Sequence, residues 1–335
     1  MTGPPAATAS VRVAVRRCLA GLAPDAPVAA ALSGGADSLA LAAALAFVRP
    51  GACALVVDHG LQSGSERVAA RAAEQARSLG LTAAVLPAAT SARSSGSSPG
   101  GLPVNSPKIL GAGGAGAGGL GAGGPEAAAR RTRYAALDAA AHERGLAAVL
   151  LGHTLDDQAE TVLLGLARGS GARALAGMAS VRGRYRRPLL ELDRVTVRRA
   201  CVEAGLVAWE DPHNADPAYA RVRVRASLLP LLEQQLGPGI AGNLARTARQ
   251  LREDADTLDA LAPVTADVAE LAALPAALRS RALKRWAEQQ CGAAVTAAHV
   301  DALRSLVDDW HGQGAVGLPG GVLVERRGGR LASQP

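Results

Sequence analysis

The apolar positions in the first half of the chain come in short blocks. Val28–Leu32, Ala52–Val57, Ala83–Leu86 and Ala147–Leu151 are apolar runs of strand length. Uninterrupted runs of this kind are what strands buried on both faces of a parallel sheet require. Between them lie longer stretches that read as helices, Leu39–Val48, Glu66–Leu79 and Glu126–Glu143. An earlier helix is expected over Val11–Leu22, with Arg12, Arg16 and Arg17 on its polar side and residues 1–9 as a loose tail. Strand–helix alternation through residue 167 predicts an α/β fold, a doubly wound parallel sheet. Farther on, apolar spacing of three and four predicts helices over Ser227–Leu236, Asn243–Leu261, Ala276–Gln290 and Thr296–Asp309. Gly317–Val324 and Arg330–Leu331 suit a small terminal hairpin. The expected division is an α/β domain over 10–225 and a smaller α-helical domain over 226–325.

One stretch breaks the pattern. Residues 90–124 are Ser-, Pro- and Gly-rich and include G-A-G-G-A-G-A-G-G-L-G-A-G-G. Such a segment buries too little apolar surface to offset its ordering entropy, so a flexible insert is expected. No strand leads into its glycines, which separates them from a phosphate-binding loop.

The first strand runs into Ser33-Gly34-Gly35-Ala36-Asp37-Ser38 and then a helix. Strand, glycine turn and helix in that order aim free backbone N–H groups at a helix N-terminus, which favours an anion. The glycines allow close approach of a phosphate, and the two serines add hydroxyl donors. Asp37 would repel a phosphate unless a cation lay between them, so it points to a divalent metal, with magnesium the first choice. An ordinary strand-to-helix connection is the plain alternative. No Gly-Lys-Ser/Thr follows, so this is not a Walker loop. The string resembles the pyrophosphate (PP) loop of the N-type ATP pyrophosphatases.

Two further polar stretches follow strands, where α/β sheets place their ligands. Asp58-His59-Gly60 closes the second strand; Asp58 and His59 are either adenosine contacts or a loop cap. Gly152-His153-Thr154-Leu155-Asp156-Asp157-Gln158-Ala159-Glu160-Thr161 follows the fourth. Asp157 and Glu160 are three apart on a helix and can face one metal, or they answer the helix dipole. His153, just before that helix, is placed to act on the phosphate edge of the site. Arg130 and Arg133 share a helix face with Tyr134 beside them.

Composition narrows the setting. With 49% hydrophobic and only 2% aromatic residues, the core must be built from Ala, Leu and Val. Lys+Arg is 36 against 29 Asp+Glu, a formal charge of +7. Nearly all of the positive charge is arginine, which suits bidentate phosphate contact. Residues 168–225 hold twelve arginines and no lysine. Arg221, Arg223 and Arg225 there form either a phosphate-contact strip or a solvated face with internal ion pairs. Cys18, Cys53, Cys201 and Cys291 are far apart in sequence, so no CxxC pair exists and reduced thiols are expected. With no signal-peptide pattern and no bilayer-length apolar run, a cytoplasmic protein without membrane partners is expected.

The ordered set S-G-G-A-D-S, V-D-H-G-L, E-A-A-A-R-R-T-R-Y, G-H-T-L-D-D-Q-A-E-T, R-P-L-L and D-P-H-N resembles bacterial tRNA(Ile)-lysidine synthetases, from about residue 28 to 235. The resemblance implies ATP and Mg2+ as cofactors and a two-step ligase reaction. ATP adenylates the C2 oxygen of the wobble cytidine in the CAU-anticodon isoleucine tRNA, and the ε-amine of free L-lysine then displaces AMP to give lysidine. It further implies that Ser33, Gly34, Gly35, Asp37 and Ser38 hold ATP phosphates. Asp37, Asp157 and Glu160 serve magnesium and the lysine amine, and Arg130 and His153 stabilise phosphate charge. Partners implied are tRNA(Ile) and lysine, with a homodimer left open. The glycine insert stands where relatives usually carry a short loop, and Arg221-Val222-Arg223 where many carry Arg-Asn-Arg. Any further tRNA-binding domain of longer relatives is expected to be absent or much reduced.

Three other readings compete. A PP-loop tRNA thiolase of the cysteine-dependent kind would need closely placed cysteines, and Cys53 and Cys201 do not supply that pattern. A glutamine-dependent amidotransferase would need a glutaminase domain. A non-catalytic RNA-binding module would not require the intact loop and acids, and aromatics are too scarce for a base-stacking platform.

Overall fold

The computed structural model describes residues 3–58, 64–87 and 125–334. His59 and the insert expected at 90–124 lie outside the described residues. The chain divides into two compact units, Met1–Leu164 with Met178–Ala245, and Gly165–Gly177 with Arg246–Pro335.

The first unit opens with helix α1 (Ala6–Leu19) and strand β1 (Val28–Leu32). Helix α2 (Ala36–Val48), β2 (Cys53–Asp58), α3 (Ser65–Ser78) and β3 (Thr82–Pro87) follow. Then come α4 (Pro125–Glu143), β4 (Ala148–Leu150) and α5 (Leu155–Ala167). Helix α1 starts earlier than its polar pattern suggests, so residues 6–9 are not a loose tail. Ala7, Val11 and Val15 recur every four residues and are buried in the core, so packing sets the start.

A short helix α6 (Ala172–Leu175) precedes a hairpin of two-residue strands, β5 (Val181–Arg182) and β6 (Tyr185–Arg186). These strands carry no apolar run and were not legible as strands. Gly183 makes the turn with φ +56°, a left-handed conformation that favours glycine. Helix α7 (Arg194–Glu203) follows, then α8 (Ala220–Arg223), a π-helical turn (Val224–Leu228) and α9 (Leu229–Leu236).

The sheet order is β3-β2-β1-β4-β6-β5, parallel throughout except for β5. Side chains alternate between its faces as the strand period of two demands. Val28, Ala30 and Leu32 pack with Leu39, Leu41 and Leu45 of α2, whereas Ala29, Leu55 and Val149 pack with Leu137 and Ala141 of α4. The chain runs outward from β1 to β2 and β3, then returns to place β4 on the other side of β1. That reversal opens a crevice between the carboxyl ends of β1 and β4.

The second unit begins inside helix α10 (Ile240–Leu261), not at residue 226. Leu229, Ile240 and Leu244 cluster with Ala159 and Val224 of the first unit. Residues 165–177 belong to the second unit because Arg173 pairs with Asp256 and Asp259, and Arg252 donates to the carbonyls of Ala176 and Gly177. Helices α11 (Val268–Ala273), α12 (Ala276–Cys291) and α13 (Ala297–Asp308) close around Leu271, Leu283, Leu303 and Leu306. The expected terminal hairpin is a three-stranded antiparallel sheet, β7 (Val316–Gly317), β8 (Leu323–Arg327) and β9 (Arg330–Gln334). Among the described residues no helix is long and apolar enough to cross a membrane.

Leu150 is fully buried at the centre of the sheet. Leu150→Ala is expected to cost about 2–5 kcal/mol through lost transfer energy and a residual cavity. Urea unfolding measures it; a cost below 1 kcal/mol would mean the sheet centre is loosely packed.

Candidate active site

The loop after β1 is shaped by its own serines. Ser38 Oγ donates to the Gly35 carbonyl at 2.8 Å and accepts from the Ser33 amide at 3.2 Å. Gly34 has φ +82°, and its carbonyl accepts from the Trp209 amide at 2.9 Å. Gly35 is the N-cap of α2 and supplies no side-chain cap, while the first α2 amide to bond back is that of Leu39, to the Gly35 carbonyl. The amides ahead of it lie in the first turn of the helix, where no intrahelical acceptor exists. This is a helix terminus able to take an anion.

The second helix terminus at the crevice is built differently. Thr154 accepts from the Asp157 amide at 3.5 Å, while Asp157 Oδ2 accepts from the Thr154 amide at 2.8 Å and from its hydroxyl at 3.0 Å. This reciprocal pair has the logic of a capping box. Asp156 Oδ2 accepts from the Arg194 amide at 2.7 Å, which joins the start of α7 to the start of α5. Gly152 lets β4 pass α2, since a Cβ there would lie 3.1 Å from the Asp37 carbonyl carbon and oxygen.

Beneath these termini lies a charge cluster. Glu160 is fully buried. Arg225 grips it through two bonds, Nε to Oε1 at 2.7 Å and Nη2 to Oε2 at 3.0 Å. Arg194 Nη2 donates to Glu160 Oε1 at 3.1 Å and to Asp157 Oδ1 at 2.8 Å. Arg221 makes a 3.3 Å salt bridge to Glu160 Oε2 and donates to Thr161 Oγ1 at 3.0 Å. The structure thus answers what Arg221, Arg223 and Arg225 do. They lie on helix, so Arg221 and Arg225 share a face and form internal ion pairs. Arg223 turns to the carbonyls of Pro217 and Ala218.

A cavity of about 640 Å³ opens at the crevice, walled in part by Ser33, Asp37, His153, Asp157, Arg194 and Trp209. Its acids are shifted in opposite directions. Burial first, then the Asp157 charge, pushes the Asp37 carboxyl up to about 6, against the pull of Arg194. Burial also opposes ionisation of Asp157, but Arg194, the Thr154 amide and other neighbours hold it below the usual carboxylate range. Asp37 Oδ1 is buried without a hydrogen-bond partner, and its Oδ2 is 4.0 Å from Arg194 Nε. His153 is held down to about 4 by burial, against the opposing charge of Asp157 and with Arg187, Arg130 and Arg221 adding to the fall. Its ring is therefore neutral near pH 7 and offers a hydrogen bond, not a full charge; Nδ1 is buried and unpartnered.

The predicted residues fall into three groups. Ser33, Gly35, Ala36, Asp37, Ser38, His153 and Asp157 line the cavity, with Gly34 in the loop between them. Glu160 does not. Both its oxygens face arginines, and no group of three or more His, Cys, Asp or Glu among the described residues is arranged to hold a metal ion. Of the expected metal set of Asp37, Asp157 and Glu160, the two aspartates line the cavity, while Glu160 is buried among guanidiniums and anchors them. An unpartnered carboxylate oxygen on Asp37, facing a second ionised acid, does fit a cation. Arg130 is exposed and stacks on the Tyr134 ring at 5.1 Å; Arg133, one turn on, lines the cavity instead. Asp58 ends β2 outside the lining, next to Val57, which is part of it. Arg194, Arg198, Gly152 and Trp209 were missed. Only Gly152 carried a sequence signal, as a glycine ending a strand.

Comparison with known proteins follows the same division of the chain. The PP-loop domain family matches residues 10–232, and the TilS substrate binding domain family matches residues 267–332. The chain is 49% identical to the tRNA(Ile)-lysidine synthase of Leifsonia xyli subsp. xyli, over 94% of this chain and 91% of that one. Identity is also 49% to the enzymes of that name from Streptomyces coelicolor, covering 98% of both chains, and Thermobifida fusca, covering 99% and 98%. Among solved structures, the U34-tRNA thiolase NcsA of Methanococcus maripaludis superposes with TM-score 0.56 at 18% identity, over 74% of this chain and 80% of that one. That likeness concerns the fold.

The two acids predict opposite effects on stability. Glu160→Ala leaves buried guanidiniums unpaired and is expected to destabilise the protein by about 3–5 kcal/mol. Asp37→Asn removes a carboxylate disfavoured by burial and by Asp157, so its thermal midpoint should equal or exceed that of the wild type. Calorimetry of both variants decides; a midpoint lowered by Asp37→Asn and untouched by Glu160→Ala would overturn this assignment. Gly152→Ala should weaken ATP binding at least tenfold by calorimetric titration, because its methyl displaces the start of α2.

Proposed function

The chain belongs to the tRNA(Ile)-lysidine synthase family of PP-loop enzymes, and from that premise we propose how its residues perform the reaction. The protein is an ATP-dependent ligase that acts on tRNA. Its reaction converts the wobble cytidine of the CAU-anticodon isoleucine tRNA to lysidine. The observation that carries the mechanism is the meeting of an uncapped helix N-terminus and the Asp37–Asp157 pair around one cavity.

In the first step the cytidine C2 oxygen attacks the α-phosphorus of ATP. The bond from the α-phosphorus to the bridging oxygen breaks, and pyrophosphate leaves. The amides of the Ser33–Ser38 loop receive the β- and γ-phosphates, a fixed dipole field that needs no reorganisation during the reaction. Asp37, with Asp157 facing it, would hold magnesium, whose charge neutralises the phosphates. The neutral His153 ring donates a hydrogen bond at the phosphate edge, and Arg133 stands where Arg130 was expected. Ser38, bonded to Gly35 and Ser33, sets the loop's shape. Asp58 and His59 serve the adenosine side.

In the second step the ε-amine of free L-lysine attacks C2 of the adenylated base. The C2–O bond breaks, AMP leaves with that oxygen and its electron pair, and the amine nitrogen passes its surplus proton to the Asp37 carboxylate beside it. Asp37 and Asp157 hold the incoming amine by charge. Glu160 acts on neither substrate directly; it holds Arg194, Arg221 and Arg225 in place. Residues 267–332 contribute to tRNA binding, and the protein works in the cytoplasm. The thiolase alternative gains nothing from the thiols, since all four cysteines are free and lie on four separate helices and strands.

The test is incorporation of labelled lysine into pure CAU-anticodon isoleucine tRNA, with AMP and pyrophosphate released in equal amounts. Asp37→Ala is expected to lower adenylation at least a hundredfold while tRNA binding stays within about threefold. Sulfur transfer without lysine incorporation would replace this function with the thiolase one.

A further inference from the structure

Residues 206–211, which follow α7, carry no helix or strand, yet Leu206, Ala208 and Trp209 line the cavity. Backbone outside regular structure still has to satisfy its N–H and C=O groups. The Val207 side chain is 56% exposed, so the hold on this segment is on its backbone. The Val207 amide donates to Gln75 Oε1 at 2.8 Å, and Gln75 Nε2 donates to the Val207 carbonyl at 3.1 Å. A side-chain amide carries both an acceptor and a donor, so Gln75 pairs with Val207 as a neighbouring strand would.

Two residues on, the Trp209 amide donates to the Gly34 carbonyl at 2.9 Å. Gly34 is the left-handed residue of the Ser33–Ser38 loop, with φ +82°. A Cβ there would lie 3.5 Å from Val68 Cγ1 and 3.6 Å from Ala72 Cβ of α3, and 3.9 Å from Trp209 Cβ. Val68, Ala72 and Gln75 are spaced four and three apart, so they share one face of α3. The loop therefore packs between α3 and the 206–211 segment, and Gln75 ties those two together. The Gly34 carbonyl and the Gly35 N–H belong to one planar peptide unit. Holding the carbonyl from outside thus fixes the direction of an amide in the loop.

We propose that Gln75 is a positioning residue for ATP: by gripping Val207 it keeps the Trp209 amide on the Gly34 carbonyl and so sets the phosphate-binding shape of the loop. This rests on the reading of Ser33–Ser38 as the phosphate site given above.

The experiment measures lysine incorporation by the full-length enzyme at varied ATP, with hydrogen exchange read at the Trp209 amide by NMR. Gln75→Ala and Gln75→Met both keep a good helix former, and Met also keeps the length of the side chain. Each is expected to raise KM for ATP about 3- to 10-fold, the range for one net hydrogen bond. The kcat at saturating ATP and the KM for tRNA should stay within twofold, the pattern of lost ground-state binding. Exchange at the Trp209 amide should quicken at least tenfold. A merely structural role would lower kcat through loss of active enzyme and leave KM for ATP alone; that result overturns the proposal. So does a wild-type KM in Gln75→Met, since bulk and not bonding would then matter, and so does unchanged exchange at Trp209. Gly34→Ala strains the loop itself, because alanine rarely adopts φ +82°, and is expected to raise KM for ATP more than either Gln75 variant. If Gly34→Ala raises it and the Gln75 variants do not, the phosphate loop stands and the role of Gln75 falls. If none of the three raises it, the phosphate-loop reading falls, and the proposal with it.

Discussion

The active site depends on one buried ion cluster. Glu160 sits with no exposure at the bottom of the crevice, and three arginines from two separate segments converge on it. Taking such charges out of water costs several kcal/mol per ion, which good geometry and additional hydrogen bonds must offset. Here Arg225 is bidentate, Arg194 bridges two acids, and Thr161 takes a further donor from Arg221. A cluster of this kind is a poor source of net stability compared with an apolar core. What it does supply is position. It fixes α5, α7 and the α8–α9 segment relative to one another beside the cavity.

The same cluster divides the labour of the acids. Asp157 lies within reach of Arg194 and Arg225 and is held ionised. Asp37, across the cavity and more weakly paired, is pushed toward neutrality. Two carboxylates driven apart in this way suit a site where a cation must be bound and later exchanged. The two helix termini show a parallel division. The start of α5 is closed by the Thr154–Asp157 pair, whereas the start of α2 is left without a cap. Only the second can receive an anion.

The core is unusual in its materials. With few aromatics available, the layers on the sheet are filled by alanine and leucine, and alanines of β1, α2 and α3 bring helices close to strands. Close approach leaves little tolerance at the crossings. Gly152 against Asp37 is the clearest case, where even one methyl group would meet backbone.

The strands β1 to β4, their parallel arrangement, the loop at 33–38 and the GHT-to-Glu160 string were all legible in the sequence. Each depends on local pattern: apolar runs of strand length, a glycine turn before a helix, polar residues closing a strand. The short β5–β6 hairpin, the start of α1 and the division inside α10 were not legible. Contacts between residues far apart in the chain set them, and no local pattern records those contacts. The roles of the charged residues show the same limit. Asp157 and Glu160 are indistinguishable by type and spacing, yet tertiary packing turns one toward the cavity and surrounds the other with guanidiniums. Sequence alone determined that a glycine turn and a helix start without a side-chain cap, the geometry of an anion site, follow β1, because backbone geometry and residue type suffice for that. Which acid stays open to a ligand, and which arginines are committed internally, was decided by burial, and burial is a property of the folded whole.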